Sequence, residues 1–301
     1  MQGLIGSAYR SIIPENMRRQ FSLFFKNDDL NKLRKEILHF YRRLPDKQIS
    51  EEQAEVISYL KKNPLSIFPY PFSEKYDYRV VQVFLDSNLD LRYVIVDGNR
   101  LYFKRQWSED LIRGCYSFLQ MEQDIESPHR YLTDDFSIAE NNVVADIGAA
   151  EGNFTLSIVR QAGKIYLFES DKEWMEPLKA TFAPWKDKVE IINKFVSDKN
   201  DEENITLDYF FANKEAIDFL KVDVEGTETE VLKGCEKVLS GHNNLKLAIC
   251  TYHRHADGTF FQYLLKRYGF QVSNSKGYMI FTRDKEIKPP YLRRGLIRAI
   301  K

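Results

Sequence analysis

Asn141-Asn-Val-Val-Ala-Asp146-Ile-Gly148-Ala149-Ala-Glu151-Gly152-Asn153-Phe154 is the stretch on which the fold turns. A short apolar run, Val143 to Ile147, predicts a strand that ends in a glycine-bracketed turn, and a helix begins near Phe154. In open α/β sheets this junction is where ligands bind. Gly148 and Gly152 tolerate positive φ and let a ligand press against bare backbone. The unpaired amides of the new helix then face that ligand. The spacing is G-x-x-x-G, which differs from the G-x-G-x-x-G of dinucleotide folds and disfavours a nucleotide-binding oxidoreductase. Asp146 and Glu151 flank the turn, so a ligand carrying an ammonium and a sulfonium suits it better than a dianionic pyrophosphate. The bland alternative is a glycine-rich turn without a ligand.

Downstream the chain alternates strand and helix. Strands are predicted over 164–168, 189–196, 218–224 and 245–251, with helices over 173–183, 227–239 and 260–268 between and after them. Such alternation argues for a mostly parallel sheet covered on both faces. A last pair, Phe270 to Ser273 and Tyr278 to Thr282 around Asn274-Ser-Lys-Gly277, reads as an antiparallel edge hairpin. Glu169 ends the second strand, 23 positions after Asp146. That is close to the roughly 20-residue spacing of an acid that accepts from both ribose hydroxyls. Glu169 could also be a solvated strand-end charge before a helix. In Phe219-Leu-Lys-Val-Asp223-Val-Glu225-Gly226-Thr-Glu228 a hydrophobic strand runs into acids at the same rim. Asp223 could hold a cofactor amino group, bind a metal or orient an acceptor; Glu228 reads as a helix start.

Upstream, helices are expected over 29–44 and after Ser50, where Ser50 and Gln53 form a capping box. Pro64, Pro69 and Pro71 interrupt an aromatic stretch, Phe68 to Phe72. Residues 78–85 and a hairpin around Asp97-Gly98 carry β character, and 108–122 is helical again. Lys plus Arg and Asp plus Glu both number 44 in 301 residues, and this balance argues against a general nucleic-acid binder. The three cysteines, Cys115, Cys235 and Cys250, have no paired spacing and predict reduced, buried thiols in a cytoplasmic protein. No apolar run approaches the ~18 residues that span a bilayer.

Asp146 to Phe154, Glu169, and Lys221-Val-Asp-Val-Glu-Gly226 followed by Val231-Leu-Lys-Gly234 together resemble the FkbM family of methyltransferases. Ser127-Pro-His-Arg-Tyr131 is similar to a segment that precedes the first strand in some members. The resemblance implies an α/β, Rossmann-like methyltransferase sheet, S-adenosyl-L-methionine as donor, and O-methylation of acceptors that are often sugars or natural products. Carried over, Asp146, Gly148 and Gly152, with Ala149, Glu151, Asn153 and Phe154 around them, would meet the methionine portion of the cofactor. Glu169 would take the ribose, and Val196 and Ser197 would lie near the adenine. The pair Ala150-Glu151 departs from the family, where many members place an Asn and a variable residue.

A sugar hydroxyl is a poor nucleophile, so a general base or a metal is expected beside the electrophilic sulfonium. His253, in Cys250-Thr-Tyr-His253-Arg-His255, is the expected base, with Asp223 orienting it. His129 is the second candidate, brought over the crevice from outside the sheet, with Arg130 and Tyr131 lining the acceptor or covering the adenosine. His253 could instead be a surface loop residue and His129 a structural one; His39 and His242 carry no such context. Asp223, Glu225 and His253 could also hold a divalent metal, although no metal motif supports it. Three segments are expected: an α+β cap over 1–135, on the acceptor side with its aromatic stretch; a cofactor domain over 136–284; and a basic amphipathic tail over 285–301. In that tail Leu292, Leu296 and Ile300 recur every four residues among Arg293, Arg294, Arg298 and Lys301. It reads as a helix packed on its own domain or resting peripherally on the inner membrane surface. A non-catalytic scaffold that kept the fold is the alternative to an enzyme; four intact site residues, Gly148, Gly152, Glu169 and Asp223, argue against it.

Overall fold

The computed structural model describes residues 27–241, 244–284 and 287–301, so His242 lies outside the described residues. Two helices come first, α1 (Asn27–Arg42) and α2 (Glu51–Lys62). The predicted capping box is present: Gln53 donates its backbone N–H to Ser50 Oγ, and Ser50 N–H returns a bond to Gln53 Oε1. A three-stranded antiparallel sheet follows, β1 (Phe84–Asp86), β2 (Leu91–Val96) and β3 (Asn99–Tyr102), then α3 (Glu109–Glu122). Only the end of the predicted 78–85 strand is extended and paired; Tyr78–Val80 is a 3₁₀ turn started by the Asp77 side chain.

The main body contains β4 (Val143–Ile147), α4 (Asn153–Ile158), β5 (Lys164–Phe168), α5 (Met175–Phe182) and β6 (Val189–Ile192). It continues with β7 (Phe195–Val196), β8 (Asn204–Ile205), α6 (Leu207–Phe210), β9 (Phe219–Val222), α7 (Glu228–Lys233) and α8 (Glu236–Gly241). Then come β10 (Lys246–Cys250), α9 (Asp257–Arg267), β11 (Gln271–Asn274) and β12 (Leu296–Ile300). Seven strands form one sheet in the order β11-β12-β10-β9-β4-β5-β6. From β10 to β6 all pairings are parallel, and β12 alone runs against its neighbours. The chain leaves β4 toward β5 on one side and returns as β9 on the other. That reversal opens a crevice at the carboxyl ends of β4, β5 and β9.

Residues alternate between two cores, as a pleat of period two requires. Val144, Ile165, Phe219 and Ala248 share a core with α1, α2 and Phe103, so the N-terminal elements pack directly on one face of the sheet. Ala145, Tyr166, Leu220 and Leu247 face the other core, with α7 and α9.

Four expectations are corrected here. The third strand breaks after Ile192, because Asn193 turns its amide to the carbonyls of Glu169 and Ser170 at 2.8 and 3.0 Å. Phe195–Val196 then pairs with Asn204–Ile205 instead. The single helix over 227–239 is two, split at Gly234, whose added Cβ would come 1.9 Å from the Ser197 carbonyl oxygen. The edge hairpin has a different partner: β11 pairs with β12, while Met279 makes only an isolated bridge to Arg293 and Ile280 bonds to Ile67 of the cap. The C-terminal tail is therefore an inner strand and not an amphipathic helix. Leu296, Ile297 and Ala299 are buried, covered on both faces, and Arg298 donates to the carbonyls of Arg130 and Tyr131. Of the apolar side chains that a membrane reading needs, Leu292 and Leu296 are buried and Ile300 stays 40% exposed at the end of β12. Among the described residues no helix is long and apolar enough to cross a membrane.

Candidate functional site

The turn after β4 is tied to β5 before any ligand arrives. The N–H groups of Gly148 and Ala149 both donate to the Phe168 carbonyl, at 3.0 and 3.1 Å. Gly148, Ala150 and Gly152 all have positive φ. The glycines serve packing more than ligand access, which corrects the reading of the turn. An added Cβ at Gly148 would meet the Asp223 carbonyl oxygen at 2.0 Å, and one at Gly152 would meet the Phe182 ring at 2.7 Å. Ala150, where the FkbM resemblance leads one to expect Asn, sits at φ 48°, a region Asn tolerates more readily.

Asp146 does not reach the crevice, so a direct contact with the cofactor is not what it offers. It is fully buried, accepts from Thr155 Oγ1 at 2.8 Å, and pairs with Lys221 Nζ at 3.0 Å. Lys221 also donates to the Gly148 carbonyl at 2.7 Å. Burial works against the Lys221 charge, but Asp146 and Asp223 outweigh it and hold the ammonium above its ordinary pKa. This pair clamps the end of β9 to the turn. Ser197 likewise points away, toward Asn204, while Val196 reaches the cavity wall.

A cavity of about 260 Å³ lies over these strand ends. Five carboxylates line it, Glu122, Glu151, Glu169, Asp223 and Glu225, against two ammonium groups, Lys194 and Lys221. Burial raises Glu151 to about 7 and also lifts Glu122 and Glu169. Glu169 accepts the Ala150 N–H at 2.9 Å on one oxygen and the Asp171 N–H at 2.7 Å on the other. One lone pair on each oxygen remains free to take a vicinal diol. Buried Lys104, from the cap, pairs with Asp171 and with Glu173 at 3.2 Å and so braces the loop after Glu169.

Asp223 is the hub of the site. It accepts from Tyr131 Oη at 2.6 Å and lies 3.6 Å from His129 Nε2 and 3.7 Å from His253 Nε2. Burial opposes its charge, yet His129, His253 and Lys221 bring its pKa down to about 2. The two histidines, both buried, behave oppositely. Burial lowers His129 to about 4, and its Nε2 lies 3.1 Å from Tyr252 Oη. Burial also opposes charge on His253, but Glu228, Asp223 and Glu225 overcome it and raise the ring to about 9. Its Nδ1 is 2.7 Å from Glu228 Oε1, close though poorly aligned for a hydrogen bond. A ring already protonated at neutral pH cannot accept an acceptor's proton, so the expected role of His253 as general base is corrected.

The structure thus gathers Gly148, Ala149, Glu151, Asn153, Phe154, Glu169, Val196 and Asp223 on the cavity and leaves Asp146, Gly152, Ser197, His129 and His253 behind it. Phe68, Tyr70 and Phe72 are buried in the cap core and line no acceptor surface. Glu122, Gln123, Tyr252 and Lys221 line the cavity without having been singled out. Lys221 alone gave a signal, a lone cation inside an otherwise apolar strand.

Comparison with known proteins agrees with this arrangement. Residues 138–272 match the family model described as the methyltransferase FkbM domain. The chain carries an FkbM methyltransferase domain. The matched region runs from just before β4 into the start of β11 and leaves β12 outside it. Over 81 residues the chain is 35% identical to a probable ribosomal RNA small subunit methyltransferase A of Methanococcoides burtonii, covering 26% of this chain and 28% of that protein. The chain therefore spans little more than a quarter of the curated relative it matches. Among solved structures, methyltransferase FkbM from Methylobacillus flagellatus is 18% identical with a TM-score of 0.45, covering 64% of this chain and 54% of that one. A precorrin-6y C5,15-methyltransferase from Geobacter metallireducens is 14% identical with a TM-score of 0.39, covering 55% of this chain and 82% of that one.

Proposed function

We propose that this chain is a methyltransferase that uses S-adenosyl-L-methionine, bound in its FkbM domain, to methylate a hydroxyl of a saccharide or glycan precursor. The observation that carries the donor assignment is the acidic cavity at the ends of β4, β5 and β9, with Glu169 free to take a diol. Its five carboxylates suit a ligand bearing an ammonium and a sulfonium and oppose a pyrophosphate. Hydroxyl acceptance is supported by the FkbM resemblance and by the polar wall of Gln123, Tyr131 and Tyr252. The ribosomal name of one relative raises an RNA acceptor; the balanced charge of the chain and the acidic cavity speak against it.

In the reaction the acceptor oxygen forms a bond to the methyl carbon. The C–S bond breaks with its electron pair left on sulfur, and the hydroxyl proton must leave. With His253 already charged, neutral His129 is the remaining histidine base, reached from the cavity through the Tyr252 hydroxyl. Asp223 would steady the imidazolium that results. His129→Gln should keep S-adenosylhomocysteine affinity and lower turnover about 10²-fold or more. Unchanged turnover would remove His129 from the chemistry.

The donor is tested by calorimetric titration of the purified chain with S-adenosylhomocysteine, with NAD for comparison. Saturable binding of the first alone is expected, weakened at least tenfold by Glu169→Ala. No binding by the folded chain would favour a scaffold that has lost the cofactor.

A further inference from the structure

The mechanism above leaves His253 without a task, and its surroundings are unusual. Its side chain is 3% exposed, yet Nε2 has no hydrogen-bond partner among the described residues. That nitrogen faces Asp223 Oδ1 at 3.7 Å and Glu225 Oε2 at 3.9 Å. Both gaps exceed the ~3.2 Å reach of an N–H···O bond. The other ring nitrogen lies 2.7 Å from Oε1 of buried Glu228, without hydrogen-bond alignment, and that oxygen accepts from the N–H groups of Val224 and Gly226. A carboxylate on one imidazole nitrogen, with the other aimed at two further carboxylates, is the arrangement that orients a metal-binding histidine. Glu225 is brought there by a backbone with φ 57°, a conformation rare outside glycine and typical of residues held for function.

We infer that His253 Nε2, Asp223 Oδ1 and Glu225 Oε2 form a binding site for one divalent cation of the magnesium or manganese type, which displaces the proton that Nε2 otherwise carries. Carboxylate-rich sets with a single imidazole suit these ions, which keep several waters and bind few protein ligands. With bonds of about 2.1 Å, neighbouring ligand atoms of such an ion lie about 3 Å apart, so the imidazole nitrogen, 3.7 and 3.9 Å from the two carboxylates, must draw nearer to each by ~1 Å. Asp223 and His253 also cluster with Glu228; the cluster of His129, Asp223 and Cys250 is a poorer site for such a hard ion because it offers a sulfur ligand. Asp223 and Glu225 both line the cavity, and Glu225 is 44% exposed, so the ion would meet water and an acceptor there. The chemical role rests on the methyl-transfer reading: a bound hydroxyl becomes more acidic, loses its proton through Tyr252 to His129, and attacks the methyl carbon.

The test does not require turnover. The full chain is stripped with a chelator and titrated with Mn²⁺, and free Mn²⁺ is read from its paramagnetic resonance signal. One ion per chain is expected, displaced by Mg²⁺, with affinity at least tenfold weaker in Glu225→Gln and in His253→Gln. Glu225 is on the rim, so its variant keeps the test sound if the buried histidine variant fails to fold. No Mn²⁺ binding, or binding equally strong in folded Glu225→Gln, overturns the site and leaves His253 as a simple ion-paired imidazolium. S-adenosylhomocysteine titration of the same preparation separates this result from the donor reading, since either ligand can bind without the other.

Discussion

Glu151 joins the glycine turn to the electrostatics of the cavity. Its side chain is nearly buried, and desolvation raises its pKa from 4.5 to about 7, against the pull of the Glu151 and Asn153 N–H groups and Lys221. The folded chain therefore binds more protons than the unfolded chain between those two values. Stability contributed by this carboxyl falls as pH rises from about 4.5 to 7. A cationic ligand reverses the preference, because it favours the ionised form. Affinity for S-adenosylhomocysteine, through its ammonium, should climb up to about tenfold between pH 6 and pH 8, equivalent to ~1.4 kcal/mol. In Glu151→Gln that climb should vanish, and the ligand-free protein should melt higher than wild type at pH 8 but not at pH 5. Calorimetry and thermal melts across this range decide it. An affinity in the wild type that ignores pH through 7 would place the ammonium elsewhere.

At the scale of elements, the parts legible in the sequence are those with local signals. β4, β5 and β9 lie where short apolar runs end in glycine or acid, β10 is itself such an apolar run, and the two glycines mark the turn correctly. Their reason was hidden, because Gly148 is required by the Asp223 carbonyl, a neighbour 75 positions away. The buried pair of Asp146 with Lys221 was hidden for the same cause: an acid at a turn looks ligand-facing until a cation from the adjacent strand takes it. Glu169 stood out because strand end and spacing agree. The inversion of the two histidines could not be read at all, since Glu228, Asp223 and Glu225 meet His253 only in the fold. The third strand failed at Asn193, whose side-chain amide donates to the carbonyls of Glu169 and Ser170 in the loop after β5, a partner no local pattern announces. The aromatic stretch failed in the opposite direction: rings suited to a sugar are equally suited to a core, and the cap used them for one.

At the scale of the whole molecule, β12 closes both the fold and the site. Its partners begin 46 residues back at Cys250 and 25 residues back at Gln271, counted from Leu296, so no local pattern announces it. The four-residue spacing of Leu292, Leu296 and Ile300 imitates a helix. In the sheet, Leu296 and Ile297 are buried on opposite faces, an arrangement that a period of four cannot express. Just before the strand, Arg293 donates to the carbonyls of Tyr252 and His253 at 2.7 and 3.0 Å and pairs with Asp284. The C-terminal segment thereby fixes the loop that carries the cavity's Tyr252. Deleting residues 295–301 would strip β11 of its partner and open the edge of β10. Burial of the Leu296 and Ile297 side chains alone is worth roughly 3–6 kcal/mol. That is comparable with the ~5–15 kcal/mol that holds a typical domain together. The truncated chain should therefore show no cooperative melt near the wild-type temperature and should expose apolar surface to a hydrophobic dye. A tail that served only to touch a membrane makes the opposite demand, since its removal would leave the melt unchanged and abolish only vesicle binding. A wild-type melt in the truncated chain would mean that β12 is dispensable to the sheet, and the tail would again be free for a surface.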